Sequence, residues 1–245
     1  MAKLYVVGFG PGGYDDMTHK AEEAILAADV VMGYTTYIQI LKEIFPQKEY
    51  VSTPMRQEQQ RCELALKEAA KGKTVAMVSS GDSGIYGMAG IVLQLAQKMP
   101  QPIEIEVVPG VTAASAAAAI LGAPLMHDFA VISLSDLMTP LEKIMKRVEC
   151  AAMADFVICL YNPKSKKRTE YIKMAADLVE KYQGKDVCAG IVRNAGRPDE
   201  SHELTTVGQL KDADIDMFSI VIIGNSQSYI QDGKMITPRG YNVAE

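Results

Sequence analysis

Apolar residues recur along this chain in two spacings, and the alternation between them predicts the architecture. Short β-rich runs occupy residues 3–7, 29–32, 74–78 and 103–108. Between them, apolar positions return every third or fourth residue over 18–28, 35–45, 56–71 and 85–98, as one face of a helix requires. Thr18, or Asp15 or Asp16, supplies a cap for the first helix, while Pro46, Gly72 and Pro100 stop the others. Residues 52–54 read as a loop. The order strand, helix, strand, helix, helix, strand, helix, strand predicts a mostly parallel sheet with helices on its faces.

The pattern changes beyond Gly122-Ala123-Pro124. Strands are expected at 129–134, 156–161, 187–192, 203–207 and 218–223, with a hairpin near Asp232-Gly233. Helices are expected from Thr139-Pro140 and over 166–182. Longer turns between these strands predict a mixed sheet. The fold class is therefore α/β, with two unlike domains, 1–112 and 113–245, and a cleft between them. The boundary falls within 110–124, where Val108-Pro109-Gly110-Val111-Thr112 delivers a run rich in alanine. Such a run suits a helix that lies very close to its neighbour.

Composition narrows the function. The 245 residues are 48% apolar and 22% charged, ordinary for a soluble globular protein, and the net charge of −5 argues against nucleic-acid binding. No apolar run reaches membrane-spanning length, and the N-terminus enters a strand directly, so neither membrane span nor signal peptide is expected. Cys62, Cys150, Cys159 and Cys188 are widely spaced and form no CxxC, as expected of reduced thiols in a cytoplasmic protein. Histidine, cysteine and glutamate nowhere fall at metal-ligand spacing.

Candidate chemistry lies where strands end. Val78-Ser79-Ser80-Gly81-Asp82-Ser83-Gly84-Ile85-Tyr86-Gly87-Met88 follows a buried strand and offers bare backbone groups at the carboxyl edge of a sheet, where open α/β sheets bind ligands. Gly8, Gly10 and Gly13 match the G-x-G-x-x-G spacing, but Pro11 and Tyr14-Asp15-Asp16 separate them from the next helix, and the acidic residue due after the second strand is missing. Gly-Asp-Ser-Gly also occurs in serine proteases, yet an α/β chain with three histidines does not fit that class. Further small polar loops stand at Thr112-Ala113, Tyr161-Asn162, Arg193-Asn194 and Gly224-Asn225-Ser226. Basic residues in loops, among them Arg56, Arg61, Lys164, Lys166, Lys167, Arg168 and Arg193, suit a substrate with several carboxylates. Without a metal set, a phosphate loop or a nucleophile triad, a bound cofactor is expected to carry the chemistry.

Taken together and in order, Val7-Gly8-Phe9-Gly10-Pro11-Gly12, Gly81-Asp82-Ser83-Gly84-Ile85-Tyr86-Gly87 and Val108-Pro109-Gly110-Val111-Thr112-Ala113 resemble the tetrapyrrole methylase family, the S-adenosylmethionine-dependent enzymes of corrin and sirohaem synthesis. The resemblance covers nearly the whole chain. Where sirohaem-type relatives carry Gly-Gly-Asp-Pro, this chain has Ser80-Gly81-Asp82-Ser83, which favours the corrin branch. The segments 80–90, 122–129, 132–140 and 160–168 resemble the branch that acts on precorrin-3B, or on its cobalt-containing counterpart, and methylates C17 with contraction of the ring.

The resemblance implies a homodimer and S-adenosylmethionine folded in the cleft, leaving as S-adenosylhomocysteine. Contacts are implied from Gly10, Pro11, Ser80, Gly81, Asp82, Ile85, Tyr86, Thr112 and Ala113 in the first half. In the second half they are implied from Leu160, Tyr161, Arg193, Asn194, Gly224 and Asn225. Arg56, Lys164, Arg168 and Arg193 are the expected contacts of a polycarboxylate tetrapyrrole. Ring contraction needs a proton taken from an oxygen function at C20, for which Asp82, His127 and Asp128 are the candidates. Competing readings are a sister methylase at another corrin position, a protein methylase like diphthine synthase, a nicotinamide-dependent oxidoreductase and a non-catalytic binding module.

Overall fold

A computed structural model describes residues 3–241. The chain divides into two compact units, Met1–Ala113 and Ala114–Glu245. The first alternates strands and helices: β1 (Lys3–Gly8), α1 (His19–Ala27), β2 (Val30–Tyr34), α2 (Thr35–Ile44), β3 (Glu49–Thr53), α3 (Glu58–Ala70), β4 (Thr74–Ser79), α4 (Ala89–Ala96) and β5 (Glu104–Val108). Its sheet has the order β3-β2-β4-β1-β5, and every pairing is parallel. Helices cover both faces. Val7, Val31, Ala76 and Val78 lie against α1 and α2, whereas Leu4, Val6, Met32 and Met77 lie against α3 and α4. Strands buried on both sides must read as continuous apolar runs, which is why β1, β2 and β4 are plain in the sequence.

β3 was not expected, and its last two residues, Ser52 and Thr53, fall in the stretch 52–54 read as loop. Its residues, Glu-Tyr-Val-Ser-Thr, occupy the sheet edge with only Thr53 buried, so the apolar run that marks the inner strands is missing. α4 begins at Ala89, four residues later than the periodicity implies. α3 begins at Glu58, after Arg56 takes a positive φ of 67°.

The second unit continues with α5 (Ala113–Leu121), β6 (Gly122–Ala123), β7 (Phe129–Ser133), α6 (Leu141–Met153), β8 (Val157–Tyr161), α7 (Tyr171–Gln183), β9 (Cys188–Arg193), β10 (Ser201–Thr206), α8 (Val207–Leu210), β11 (Ser219–Ile223), β12 (Tyr229–Gln231) and β13 (Lys234–Ile236). The main sheet runs β10-β9-β11-β8-β7, with β7 and β8 parallel and the remaining pairs antiparallel. One face carries α6, α7 and α8 over a core that includes Ile144, Val148, Ile158, Leu160, Ile172 and Val179. On the other face Leu121 comes so near that a Cβ on Gly190 would overlap its side chain. Ala114, Ala117, Ala118 and Leu121 form the buried stripe of α5, the close approach its alanines foretold. The hairpin turns at Asp232 and Gly233, both with positive φ, as two-residue hairpins require. Its strand β13 pairs with the two-residue β6.

α7 starts at Tyr171 rather than near 166, because Ser165 and Arg168 exchange backbone hydrogen bonds and close a tight turn. Cys62, Cys159 and Cys188 are buried thiols and Cys150 is exposed. Among the described residues no helix is long and apolar enough to cross a membrane, and no group of three or more metal-ligating side chains forms.

Candidate functional site

In the first unit β1 and β4 are neighbours whose connections leave in opposite directions, β1 towards β2 and β4 across β1 to β5. The carboxyl ends of such strands open a crevice, the usual ligand position of open α/β sheets. Three loops meet there, after β1, β4 and β5. Phe9 N–H donates to Ser79 O at 3.0 Å, Gly10 N–H to Gly81 O at 3.0 Å, and Ser80 Oγ to Pro11 O at 2.8 Å. The Gly10-Pro11 peptide is cis. Ser83, fully buried, donates its hydroxyl to Val108 O at 3.0 Å and ties the second loop to the third.

The glycines of these loops lie against one another. A Cβ on Gly8 would stand 2.6 Å from Gly81 O, 2.7 Å from Ser83 N and 2.9 Å from Asp82 Cα. One on Gly110 would collide with the carbonyls of Gly81 and Gly8. Gly81 differs: at φ +70° its Cβ position meets nothing closer than Ala113 N at 4.0 Å. Close packing beneath and open space above make Gly81 the floor of a cradle, which larger residues would fill. Ser80, Gly81 and Asp82 are half-buried, and Ile85 and Tyr86 are exposed at its rim.

Asp82 organises the loop. Its Oδ1 accepts the N–H of Gly84 at 2.8 Å and of Ile85 at 3.1 Å, and its Oδ2 accepts Gly110 N–H at 3.0 Å. Three backbone donors engage both carboxylate oxygens, so the side chain holds the second and third loops together. Sequence reasoning singled out Asp82 for its charge and passed over Ser83; the buried hydroxyl beside a glycine pair was the available signal.

In the second unit the expected positions fall into two groups. Tyr161, Arg193 and Asn194 stand where β8 and β9 end; Leu160, one residue inside β8, is fully buried. Tyr161 Oη accepts the N–H of Ala114 at 2.8 Å, in the first turn of α5. Gly224 and Asn225 follow β11, which is antiparallel to β8 with Ile223 opposite Ile158. They therefore occupy the opposite edge, about 15 Å away across a five-residue strand. His127 and Asp128 share that far edge, in a recess of about 140 Å³ with Asp155, Phe156 and Asn225. Asp128 N–H donates to His127 Nδ1 at 2.9 Å, and Asp155 accepts both Ser226 N–H and Ser226 Oγ–H. The structure does not bring Gly224, Asn225, His127 and Asp128 to the Tyr161 edge.

The expected substrate cations also separate. Arg61 is buried, donating to Thr53 Oγ1 at 2.8 Å and Pro54 O at 3.0 Å, and fastens the start of α3. Arg193 donates to Asp214 O at 2.6 Å and faces the carboxylates of Asp214 and Asp216. Arg168 donates to Ser135 Oγ at 3.0 Å and reaches Asp136 at 3.5 Å. Arg56 and Lys164 enter no ion pair among the described residues.

Comparison with known proteins fits this arrangement. Residues 3–211 match the family model of Tetrapyrrole (Corrin/Porphyrin) Methylases. The chain is 48% identical over 240 residues to the probable cobalt-factor III C(17)-methyltransferase of Salmonella typhimurium, with 98% of this chain and 100% of that one covered. It is 42% identical over 246 residues to a precorrin-3B C(17)-methyltransferase of Sinorhizobium, with 97% and 96% covered. Among solved structures, that of the methyltransferase CobJ superposes with a TM-score of 0.89 at 33% identity, covering 97% of this chain and all of that one. Three glycine loops at one switch point, an all-parallel sheet followed by a mixed one, and these matches together show that the chain belongs to the tetrapyrrole (corrin/porphyrin) methylase family.

Proposed function

We propose that this protein is an S-adenosylmethionine-dependent methyltransferase of cobalamin synthesis that methylates C17 of cobalt-factor III with coupled contraction of the macrocycle. The observation that carries the reading is the 48% identity to the Salmonella relative across the whole of both chains. The 42% identity to the Sinorhizobium relative favours precorrin-3B as the second reading. The two units serve as the two domains, and a cytoplasmic homodimer is the proposed state.

The first-unit cradle suits the cofactor: space above Gly81 admits a ligand, and Gly10, Pro11, Ser80, Gly81, Asp82, Ile85, Tyr86, Thr112 and Ala113 are the proposed contacts. Tyr161 and Asn194 are those proposed in the second unit; Leu160 belongs to the core, and Gly224 and Asn225 are set aside. When bound, S-adenosylmethionine supplies an activated sulfonium methyl, so the protein need only align an electron-rich ring carbon with it. A rigid cradle does this by orientation, which removes much of the entropic barrier. Asp82 shapes that cradle through its three backbone contacts. Arg56 and Lys164 offer charge to the substrate's carboxylates, whereas Arg168 and Arg193 are occupied within the protein. His127 and Asp128 lie at the far edge of the second sheet, away from Tyr161.

Incubation with cobalt-factor III and methyl-labelled cofactor, followed by NMR of the product, tests the reading. Label at C17 is expected; label at another carbon refutes the position. Calorimetry separates the methylase from an oxidoreductase, because the protein should bind S-adenosylhomocysteine and not NADH.

A further inference from the structure

Loop 134–139 presents an apolar tip to solvent and is firmly held from behind. Leu137 is 65% and Met138 94% exposed. Beside it, the Ser165–Arg168 turn carries Lys166 and Lys167 at its tip, both exposed and without an ion pair among the described residues. Arg168 joins the two, since it closes the lysine turn through its backbone and grips Ser135 and Asp136 through its guanidinium. Its side chain is only 12% exposed. Tyr171 adds a hydrogen bond of 2.8 Å to Asp136 Oδ2, which with Arg168 holds that carboxyl below its ordinary pKa. A floppy surface loop needs no such anchoring, and an exposed methionine on an anchored loop points to a ligand.

We propose that these two tips form one clasp for the tetrapyrrole, in which Leu137 and Met138 cover the flat face of the macrocycle while Lys166 and Lys167 take its peripheral carboxylates. The inference rests on the tetrapyrrole reading given above and assigns residues to the substrate. Charge decides the occupant. Asp136 is already engaged by Tyr171 and Arg168, and neither lysine enters an ion pair among the described residues, Glu170 included. A second copy placed symmetrically on this patch would set lysine against lysine. A ligand with an apolar face and an anionic rim satisfies both halves of the clasp. Arg168 is then a positioning residue that fixes the spacing between the tips.

Two double variants of the full chain, Leu137→Ser with Met138→Ser and Lys166→Glu with Lys167→Glu, test the clasp; all four positions are exposed, so the fold should persist. With cobalt-factor III as substrate, the first pair should raise KM at least about tenfold, the loss expected when even one buried apolar side chain is forfeited. The second should raise KM more at low salt than at high salt. Affinity for S-adenosylhomocysteine and mass by light scattering should match the parent. Unchanged KM in both variants overturns the clasp; loss of activity together with a smaller mass assigns the patch to a second copy instead. Quenching of an octacarboxylate porphyrin's fluorescence reads the clasp without turnover. If the parent binds the porphyrin and both variants bind it at least about tenfold more weakly, the clasp stands even where no methyl is transferred to cobalt-factor III; equal binding overturns it.

Discussion

Gly8→Ala isolates the packing of the three loops from everything else in the molecule. The added methyl would lie 2.6 Å from Gly81 O, 2.7 Å from Ser83 N and 2.9 Å from Asp82 Cα, all of them backbone. Ordinary carbon contacts need about 3.5–4.0 Å, so the Gly81–Ser83 segment must recede by about 1 Å. It cannot do so freely, because Gly10 N–H, Ser80 Oγ, Ser83 Oγ and Asp82 bind it on every side. Overpacking of this kind costs about 1–3 kcal/mol. That lowers Tm by about 2–4 °C for each kcal/mol in a chain of this size. The functional loss should be larger, since a displacement of about 1 Å at a reacting centre can cost about 100-fold in rate. Gly90→Ala is the control: its Cβ position is open, and in α4 the exchange should stabilise by about 0.5–1 kcal/mol without altering turnover. Urea unfolding, S-adenosylhomocysteine calorimetry and initial rates read the three quantities. A Gly8→Ala protein with parental cofactor affinity and turnover would refute the claim that this contact sets the cradle.

Asp82→Asn keeps an oxygen for Gly84 and Ile85 but turns an NH2 towards Gly110 N–H. Donor facing donor should cost about 1–3 kcal/mol and weaken S-adenosylhomocysteine binding, while the pH profile of turnover stays in place; a displaced profile would return Asp82 to acid/base duty. Thiol labelling at pH 8 should count one fast equivalent, at exposed Cys150, because burial pushes Cys159 up to about 12 and Cys62 up to about 11 and raises Cys188 as well. Four fast equivalents in the native protein would contradict the buried positions. Glu149 is lowered to about 2 by the Tyr182 hydroxyl first, then by Lys146 and Lys181. A depressed carboxyl favours the folded state above its unfolded pKa, and that contribution fades as the pH falls towards 2. The stability gap between the parent and Glu149→Gln should therefore be present at pH 7 and shrink between about pH 5 and 2; a gap that widens on acidification would reverse the assignment.

Much of the fold was legible because burial on both faces of a parallel sheet leaves continuous apolar runs at β1, β2 and β4. Thr18 was legible too, as its Oγ1 accepts Ala21 N–H at 3.1 Å and caps α1 well beyond the glycines, where a dinucleotide fold would have begun its helix. Edge positions were not. β3 needs no apolar run, and β6 pairs with a strand more than a hundred residues later, which local pattern cannot encode. The delayed starts of α4 and α7 share one cause: side chains and turns of the preceding loops hold backbone groups that periodicity would assign to a helix. At the site, loop positions could be named, but their partners could not. Arg168 and Arg193 read as free cations until tertiary contacts supplied Asp136, Asp214 and Asp216. Gly224 and Asn225 read as one more strand end until the antiparallel register put them on the other edge.

Strand order also bears on how the chain is made. β1 leaves the ribosome before the other strands of its sheet yet sits between β4 and β5, whose partner residues lie some seventy and a hundred positions later. During synthesis its apolar run, Leu-Tyr-Val-Val, must therefore wait with both edges unpaired until β4 and then β5 emerge. Such distant pairings close slowly and leave a sticky edge exposed to other nascent chains. The glycine loop after β1 has no floor until Ser79–Ser83 exists and no third wall until Val108–Gly110 does. The cradle is thus among the last features of the first unit to form, and truncation before β5 should yield a chain that aggregates rather than a smaller domain that works.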